Sequence, residues 1–210
     1  MSKIQEIAQA VETGKSKLIE GLVTEALNEG IDPLKILNEG MIAAMSVVGE
    51  KFQKAEVFVP EMLVAARTMK KGVEILKPKL GDGSVASLGK CIIGTVHGDL
   101  HDIGKNLVAL MIESAGFNVI DLGVDVTAEA FLAAIKENPD VKIVALSCLL
   151  TTTMPSLKEI AAALKAGEVK SFKLIVGGAP ITQEFADQVG ADGYSADAAG
   201  AAILAKKLAS

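Results

Sequence analysis

The sequence contains very few aromatic residues. Among 210 residues there are six Phe, one Tyr and no Trp, so aromatics make up only 3% of the chain. Half of the residues are nevertheless hydrophobic, so a core has to be built from Ala, Ile, Leu, Val and Met. This composition suits packed helices and parallel strands, and the length is enough for one large domain or two small ones.

An excess of positive charge is also missing. Lys and Arg number 21 against 26 Asp and Glu, which gives a formal net charge of -5. No basic run is dense enough to offset that balance. Nucleic acid and anionic membrane surfaces are therefore unsuitable as main partners.

Long apolar segments and clustered cysteines are absent too. No segment reaches the roughly 18 uninterrupted apolar residues of a membrane span, and the polar start at residues 1–6 lacks the apolar core of a signal peptide. The two cysteines, Cys91 and Cys148, fall in predicted buried strands and show no CxxC spacing. We therefore predict a cytoplasmic protein with reduced core cysteines.

Residues 1–77 have helical apolar spacing throughout, as at Ile4, Ile7 and Val11. Gly30 ends the second predicted helix, and Asp32-Pro33 starts the next with a capping residue and a first-turn proline. Four helices with short connections predict a small four-helix bundle. Gly, Pro and Ser then concentrate at 78–89, the predicted linker.

From residue 90 to 210, short apolar runs alternate with helical patterns, which predicts an α/β domain with a parallel sheet and helices on both faces. The predicted strands are 91–96, 119–122, 143–147, 174–177 and 193–195, and the predicted helices are about 104–115, 127–137, 155–166, 182–189 and 197–208. Five such strands fit the flavodoxin-like, Rossmann-like order 2-1-3-4-5. That order places the loops at 97–104 and 147–153 on either side of one crevice.

The loop after the first predicted strand contains His101, with Asp99 two residues before it and Gly104 three after. A neutral imidazole can bind a metal through one ring nitrogen and donate its other N–H to a carboxylate. Asp99 suits that role, and Ser147 across the crevice can extend the hydrogen bond. One histidine is too few for a zinc site, which needs three or four protein ligands. A lone ligand fits a metal whose other positions are filled by a macrocycle.

Two simpler interpretations remain open on this loop alone. His101 fits an ordinary histidine at the start of a helix in an α/β domain. His97 is the competing ligand, although no aspartate stands two residues before it.

Three signatures carry a family resemblance. The segment 98–106, GDLHDIGKN, resembles the DxHxxG signature of cobalamin-binding modules, and Ser147-x-Leu149 and Gly177-Gly178 resemble the other two signatures in the same order. In the helical half, segments 47–52, 57–61 and 65–69 resemble the cap domain of cobalamin-dependent methionine synthases and of corrinoid proteins for methanol, methylamine and methoxyarene methyltransferases. The resemblance spans nearly the whole chain.

The resemblance implies a cobalamin or related corrinoid cofactor in the base-off form. His101 would be the lower axial cobalt ligand, with Asp99 and Ser147 as its proton relay. Two departures are that Val59 replaces a common Leu, and that Thr153 stands where methionine synthases have a second Ser. Implied cofactor-binding residues are Gly98, Asp99, Leu100, His101, Asp102, Gly104, Ser147, Leu149, Thr151, Thr153, Gly177, Gly178 and Ala198, with Phe52 and Val59 covering the cobalt-bound methyl group.

The implied function is that of a methyl carrier without turnover of its own. It would accept a methyl group on cobalt(I) from a donor-specific methyltransferase and pass it from methyl-cobalt(III) to a second methyltransferase, with tetrahydrofolate or a thiol as acceptor. A reductive activase is a further implied partner. The alternatives are a complete cobalamin enzyme (a mutase or a methionine synthase), the cobalamin-binding subunit of a mutase, a cobalamin-sensing regulator, or a flavodoxin or receiver domain. Nothing in the sequence identifies the methyl donor.

Overall fold

The computed structural model describes residues 1–80, 88–169 and 171–209. The chain divides into two compact units, Met1–Ser87 with Ser114–Gly116, and Leu88–Glu113 with Phe117–Ser210. Most of the predicted linker, at 81–87, lies outside the described residues. Within the described ranges, no helix combines the length and apolar character needed to cross a membrane.

The first unit is helical, as its periodicity predicts. Asp32 caps α3 by accepting the main-chain N–H of Leu34 at 3.0 Å, with Pro33 in the first turn. The sequence did not predict the π-helical segment Ile36–Ile42, which joins α3 to α4. The helices are α1 (Lys3–Glu12), α2 (Ile19–Asn28), α3 (Pro33–Lys35), α4 (Ala43–Gln53) and α5 (Val59–Leu76), followed by a 3₁₀ turn at Lys77–Lys79.

The second unit is a five-stranded parallel sheet whose order, β2-β1-β3-β4-β5, confirms the predicted one. The strands are β1 (Lys90–Thr95), β2 (Asn118–Asp121), β3 (Val141–Ser147), β4 (Lys173–Gly177) and β5 (Gly193–Tyr194). The helices are α6 (Ile103–Ser114), α7 (Ala128–Glu137), α8 (Met154–Ala166), α9 (Gln183–Val189) and α10 (Ala198–Ala209), and a 3₁₀ turn at Thr151–Thr153 precedes α8.

Both faces of the sheet are buried. On one face, Ile92 of β1 and Val144 of β3 belong to a core cluster with Phe131 of α7. The alternate residues, among them Cys91 and Ile143, are buried as well, and α10 packs against β3, β4 and β5. Because both faces are covered, the strands read as continuous apolar runs.

Candidate functional site

Asp99 and His101 meet in the loop between β1 and α6. Oδ1 of the fully buried Asp99 lies 2.7 Å from Nδ1 of His101 and accepts the main-chain N–H of the same histidine at 3.1 Å. An ionised carboxylate only accepts hydrogen bonds, so the shared proton sits on Nδ1 and a neutral ring has its lone pair on Nε2. The side chain of His101 is 49% exposed. The ring therefore offers Nε2 as a ligand atom.

The second carboxylate oxygen of Asp99 is also satisfied. Oδ2 accepts the main-chain N–H of Leu149 at 2.7 Å and the hydroxyl of Thr153 at 3.1 Å. Burial by itself would raise the pKa of Asp99, but the hydrogen bonds from Leu149, His101 and Thr153 outweigh it and lower that pKa to about 2. Asp99 is therefore ionised at neutral pH.

The structure corrects the predicted relay, because the hydroxyl on Asp99 belongs to Thr153 and not to Ser147. In the part of the chain described, no hydrogen bond joins Ser147 to Asp99. Ser147 ends β3, where it is in register with Thr95 of β1. Thr153 comes later, in the 3₁₀ turn that returns the chain toward Asp99. Its Oγ1 also lies 3.3 Å from Sγ of Cys148.

Asp125, which the sequence did not single out, supports the same loop from the segment after β2. Its Oδ1 accepts the main-chain N–H of Gly98 at 2.7 Å, and its own N–H donates to the carbonyl of Asp99 at 3.0 Å. The same Oδ1 lies 2.7 Å from Nδ1 of His97. The hydrogen bonds from Gly98 and His97 lower the pKa of Asp125. His97 therefore has a carboxylate partner too, although a far more exposed one than Asp99.

Large apolar side chains are exposed around these polar groups. Leu100 and Ile103, which flank His101 in the sequence, are 72% and 85% exposed, and Leu149 and Leu150 in the loop after β3 are also exposed. Exposed apolar groups gathered in one place mark a binding surface. The sequence did not identify Ile103 and Leu150 as site residues. The feature that could have identified them is a bulky apolar residue close to polar loop residues.

The glycine pair at the end of β4 allows neighbouring loops to approach closely. Gly178 has φ +128°, and a β-carbon on it would overlap the carbonyl oxygen of Cys148. A β-carbon on Gly177 would lie 3.2 Å from the carbonyl oxygen of Ser195. The glycines thus bring the segments after β3, β4 and β5 together. Ala198, shortly after Ser195, is buried at the start of α10.

The remaining predicted residues have varied surroundings. Asp102 accepts the side-chain N–H of Asn106 at 3.1 Å, and Gly104 in α6 has open space where a β-carbon would be. Thr151 is exposed at the start of its 3₁₀ turn. Phe52 in α4 and Val59 at the start of α5 lie in the first unit, half-buried and exposed respectively.

The donor set at His101 limits what it can hold. Within residues 1–80, 88–169 and 171–209, no group of three or more His, Cys, Asp or Glu side chains could hold a metal ion. One oriented imidazole beside exposed apolar side chains fits a metal that brings its other ligands on an apolar ring. The residues present therefore fit a corrinoid.

Comparison with known protein families agrees with this chemistry. Residues 89–203 match a B12 binding domain family, and residues 3–77 match a second family with the same description. The chain belongs to the B12-binding corrinoid proteins. The family resemblance stated from the sequence is thereby confirmed.

Individual relatives align over nearly the whole corrinoid protein. A corrinoid protein of Desulfitobacterium hafniense strain Y51 is 39% identical over 212 residues, covering 99% of this chain and 98% of its own. The trimethylamine corrinoid protein of Methanosarcina barkeri is 42% identical over 198 residues, covering 93% and 91%.

Solved structures give the same result. The methanol:cobalamin methyltransferase complex of Methanosarcina barkeri contains a chain that matches with a TM-score of 0.86 and 32% identity, covering 99% of this chain and 79% of that one. A cobalamin-binding protein from Desulfitobacterium hafniense DCB-2 matches with a TM-score of 0.81 and 32% identity, covering 98% of both chains.

Proposed function

We propose that this corrinoid protein is a methyl carrier that receives a methyl group from one methyltransferase and offers it to a second, without turnover of its own. The observation that carries the proposal is the half-exposed imidazole of His101, held by the buried, ionised Asp99 and flanked by the exposed Leu100 and Ile103. The corrinoid, when bound, supplies the nucleophilic cobalt and the position that holds the methyl group.

We assign Nε2 of His101 as the lower axial ligand, in place of the base that the cofactor carries. Oδ1 of Asp99 holds the Nδ1 proton, which fixes the tautomer and leaves the lone pair of Nε2 for the metal. A metal ligand has to be deprotonated, so binding of the metal at Nε2 would exclude a proton from that nitrogen while Asp99 keeps the one on Nδ1.

The other residues named from the sequence keep their proposed places. We propose that residues 1–77 form the cap domain, that 90–210 form the cofactor domain, and that Phe52 and Val59 cover the methyl-bearing face. The corrin would lie against the loop at 98–104. The nucleotide tail of the cofactor would run along residues at the ends of β3 and β4 and at the start of α10, namely Ser147, Leu149, Thr151, Gly177, Gly178 and Ala198.

The names of the relatives support a small methylated donor. They include trimethylamine and dimethylamine corrinoid proteins of Methanosarcina species. A similar chain also belongs to the methanol:cobalamin methyltransferase complex of Methanosarcina barkeri. We propose a donor-specific methyltransferase as the first partner. The second partner would methylate tetrahydrofolate or a thiol, and a reductive activase would restore the methyl-accepting state. A mutase subunit or a cobalamin sensor is less well supported, because these full-length relatives are corrinoid proteins.

Absorption spectra of the full chain reconstituted with hydroxocobalamin test the cofactor site. His101→Ala and His97→Ala form a matched pair, because these are the two histidines of the sequence and each has a carboxylate partner. We expect the His97 variant to behave as wild type. The His101 variant should lose the spectrum of a histidine-ligated corrinoid and bind at least about tenfold more weakly. Failure of the wild type to bind any corrinoid would overturn the proposal, and an unchanged spectrum in His101→Ala would reject that ligand.

Methyl transfer is tested separately with the reduced, reconstituted protein. It is mixed with trimethylamine-, dimethylamine- or methanol-specific methyltransferases and their donors, and methylation is followed by absorption. We expect methylation with one of these pairs, followed by transfer when a tetrahydrofolate or thiol methyltransferase is added. A corrinoid-loaded protein that accepts no methyl group from any of them would contradict a carrier role for small methylated donors.

A further inference from the structure

Thr95, the last residue of β1, ties the sheet to His101. Its side chain is fully buried, and its Oγ1 donates a hydrogen bond to the main-chain carbonyl of His101 at 2.8 Å. Thr95 is itself fixed, because its N–H donates to Gly123 at 3.0 Å and its carbonyl accepts from Val126 at 2.9 Å. β1 lies between β2 and β3, and a β-branched side chain has few rotamers. The hydroxyl is therefore a rigid anchor.

Asp99 alone does not fix the direction of the imidazole. Its contacts with the main-chain N–H and with Nδ1 of His101, at 3.1 and 2.7 Å, both end on the same atom, Oδ1. Two contacts that share one atom leave the residue free to pivot about that atom. The chain at His101 precedes α6, which begins at Ile103. The hydrogen bond from Thr95 is made at the carbonyl, away from this pivot, and restricts the remaining rotation.

We propose that Thr95 is a positioning residue for the axial ligand: its hydroxyl holds the main chain of His101 so that Nε2 faces the cobalt. This inference rests on the proposed function, in which His101 binds the metal. The competing explanation is that Thr95 only satisfies a buried carbonyl. In that case its loss would lower the stability of the fold but leave the geometry of the imidazole unchanged.

The test measures cobalt–histidine ligation in the full chain loaded with cobalamin and reduced to cobalt(II). Nitrogen splitting in the electron paramagnetic resonance spectrum reports an axial nitrogen. Labelling the protein with ¹⁵N changes that splitting only when the nitrogen comes from the protein and not from the cofactor. The variants are Thr95→Val, which removes the donor at nearly constant shape, and Thr95→Ser, which keeps it. Thr68→Val is the matched control, because Thr68 is equally buried and donates to the carbonyl of Val64 at 2.8 Å in the other unit.

We expect the equilibrium constant for binding of the histidine nitrogen to cobalt to fall about three- to tenfold in Thr95→Val, which is the effect of losing one neutral hydrogen bond. Thr95→Ser should return it to within about twofold of wild type, and Thr68→Val should leave it unchanged while lowering the urea midpoint. Wild-type ligation in Thr95→Val, or equal losses in the Val and Ser variants, would overturn the inference and leave the proposed function intact. A wild type without a protein nitrogen on cobalt would overturn the inference and the assignment of His101 as ligand, whereas the carrier role is tested separately by methyl transfer. Should Thr95→Val not fold, Thr95→Ala removes the same hydroxyl and carries the same criteria.

Discussion

The hydroxyl of Thr153 lies 3.1 Å from Oδ2 of Asp99, the carboxylate oxygen that His101 does not use. The buried charge is therefore stabilised from both sides. A hydrogen bond to a charged group contributes about 1.5 to 3 kcal/mol. We predict that Thr153→Val lowers the free energy of unfolding of the apoprotein in urea by about 2 kcal/mol, and that Thr153→Ser costs less. The pKa of Asp99, followed by NMR, should rise in the valine variant.

Two neighbouring side chains serve as controls for Thr153. Thr152 is exposed in the same 3₁₀ turn, so Thr152→Val should change stability by no more than about 0.5 kcal/mol. Ser147→Ala should leave the titration of Asp99 unchanged. A rise in the pKa of Asp99 in Ser147→Ala that equals the rise in Thr153→Val would restore the relay first predicted from the sequence.

Acid should remove the stabilisation that Asp99 provides. Its pKa is about 2 in the folded protein against 3.8 for an ordinary aspartate. A group whose pKa is lower in the folded than in the unfolded protein stabilises the fold at any pH above its unfolded-state pKa. That stabilisation is lost as the pH falls through the folded-state pKa. The contribution is therefore complete above about pH 5 and worth about 2 kcal/mol, of which about 1 kcal/mol is lost by pH 3.

Comparison with Asp99→Asn isolates this effect, because the asparagine does not titrate. We expect the stability advantage of wild type over Asp99→Asn, from urea unfolding of the apoproteins, to be about 1 kcal/mol smaller at pH 3 than at pH 5, an interval in which histidines are already protonated. A difference that stays constant down to pH 3 would mean that Asp99 has an ordinary pKa.

The sheet order could be predicted because each strand is a short apolar run between helical patterns, and few parallel topologies satisfy that alternation. The start of α3 was also readable, since Asp32-Pro33 forms a local cap that depends on no distant residue. The π segment Ile36–Ile42 was not predicted. The apolar residues within it, such as Leu37 and Met41, keep an ordinary helical spacing, so the wider turn of the π-helix leaves no clear sign in the sequence.

Within the site, the sequence identified the local pair and missed the long-range supports. Asp99 and His101 are two residues apart, so their contact follows from spacing alone. Asp125 lies in the segment after β2 and binds Gly98, and Thr95 lies at the end of β1 and binds the carbonyl of His101. Neither residue belongs to a recognisable motif. Ser147 was preferred to Thr153 because the path of the 3₁₀ turn after β3 cannot be read from residue types.

Gly178 should tolerate no side chain. Its φ of +128° is unfavourable for any other residue, and a β-carbon would overlap the carbonyl oxygen of Cys148. We predict that Gly178→Ala destabilises the protein by at least about 3 kcal/mol in urea unfolding. Gly123→Ala is the matched control. Gly123 has φ +85° but open space around a β-carbon, so only the backbone strain of about 1 kcal/mol applies. Equal losses in the two variants would show that the contact with Cys148 adds nothing.

The buried Lys105 depends on Asp121 for its charge partner. Nζ of Lys105 lies 2.5 Å from Oδ2 of Asp121 and 2.6 Å from Oδ1 of Asn106, and the lysine side chain is 2% exposed against 38% for the aspartate. Removing one partner leaves the other charge without its ion pair, and the cost depends on how buried that remaining charge is. We therefore predict an asymmetric result in urea unfolding. Asp121→Asn should cost about 3 kcal/mol, because it leaves the buried ammonium without a counter-charge.

Lys105→Met should cost only about 1 kcal/mol, because the remaining carboxylate of Asp121 still reaches water and the methionine fills the lysine's volume. The double variant should be more stable than Asp121→Asn alone, since replacing the lysine removes the uncompensated charge. The higher stability of the double variant relative to Asp121→Asn is the decisive result. Simple addition of the two losses would show that the ammonium and the carboxylate are stabilised independently, and that Lys105 gains nothing from Asp121.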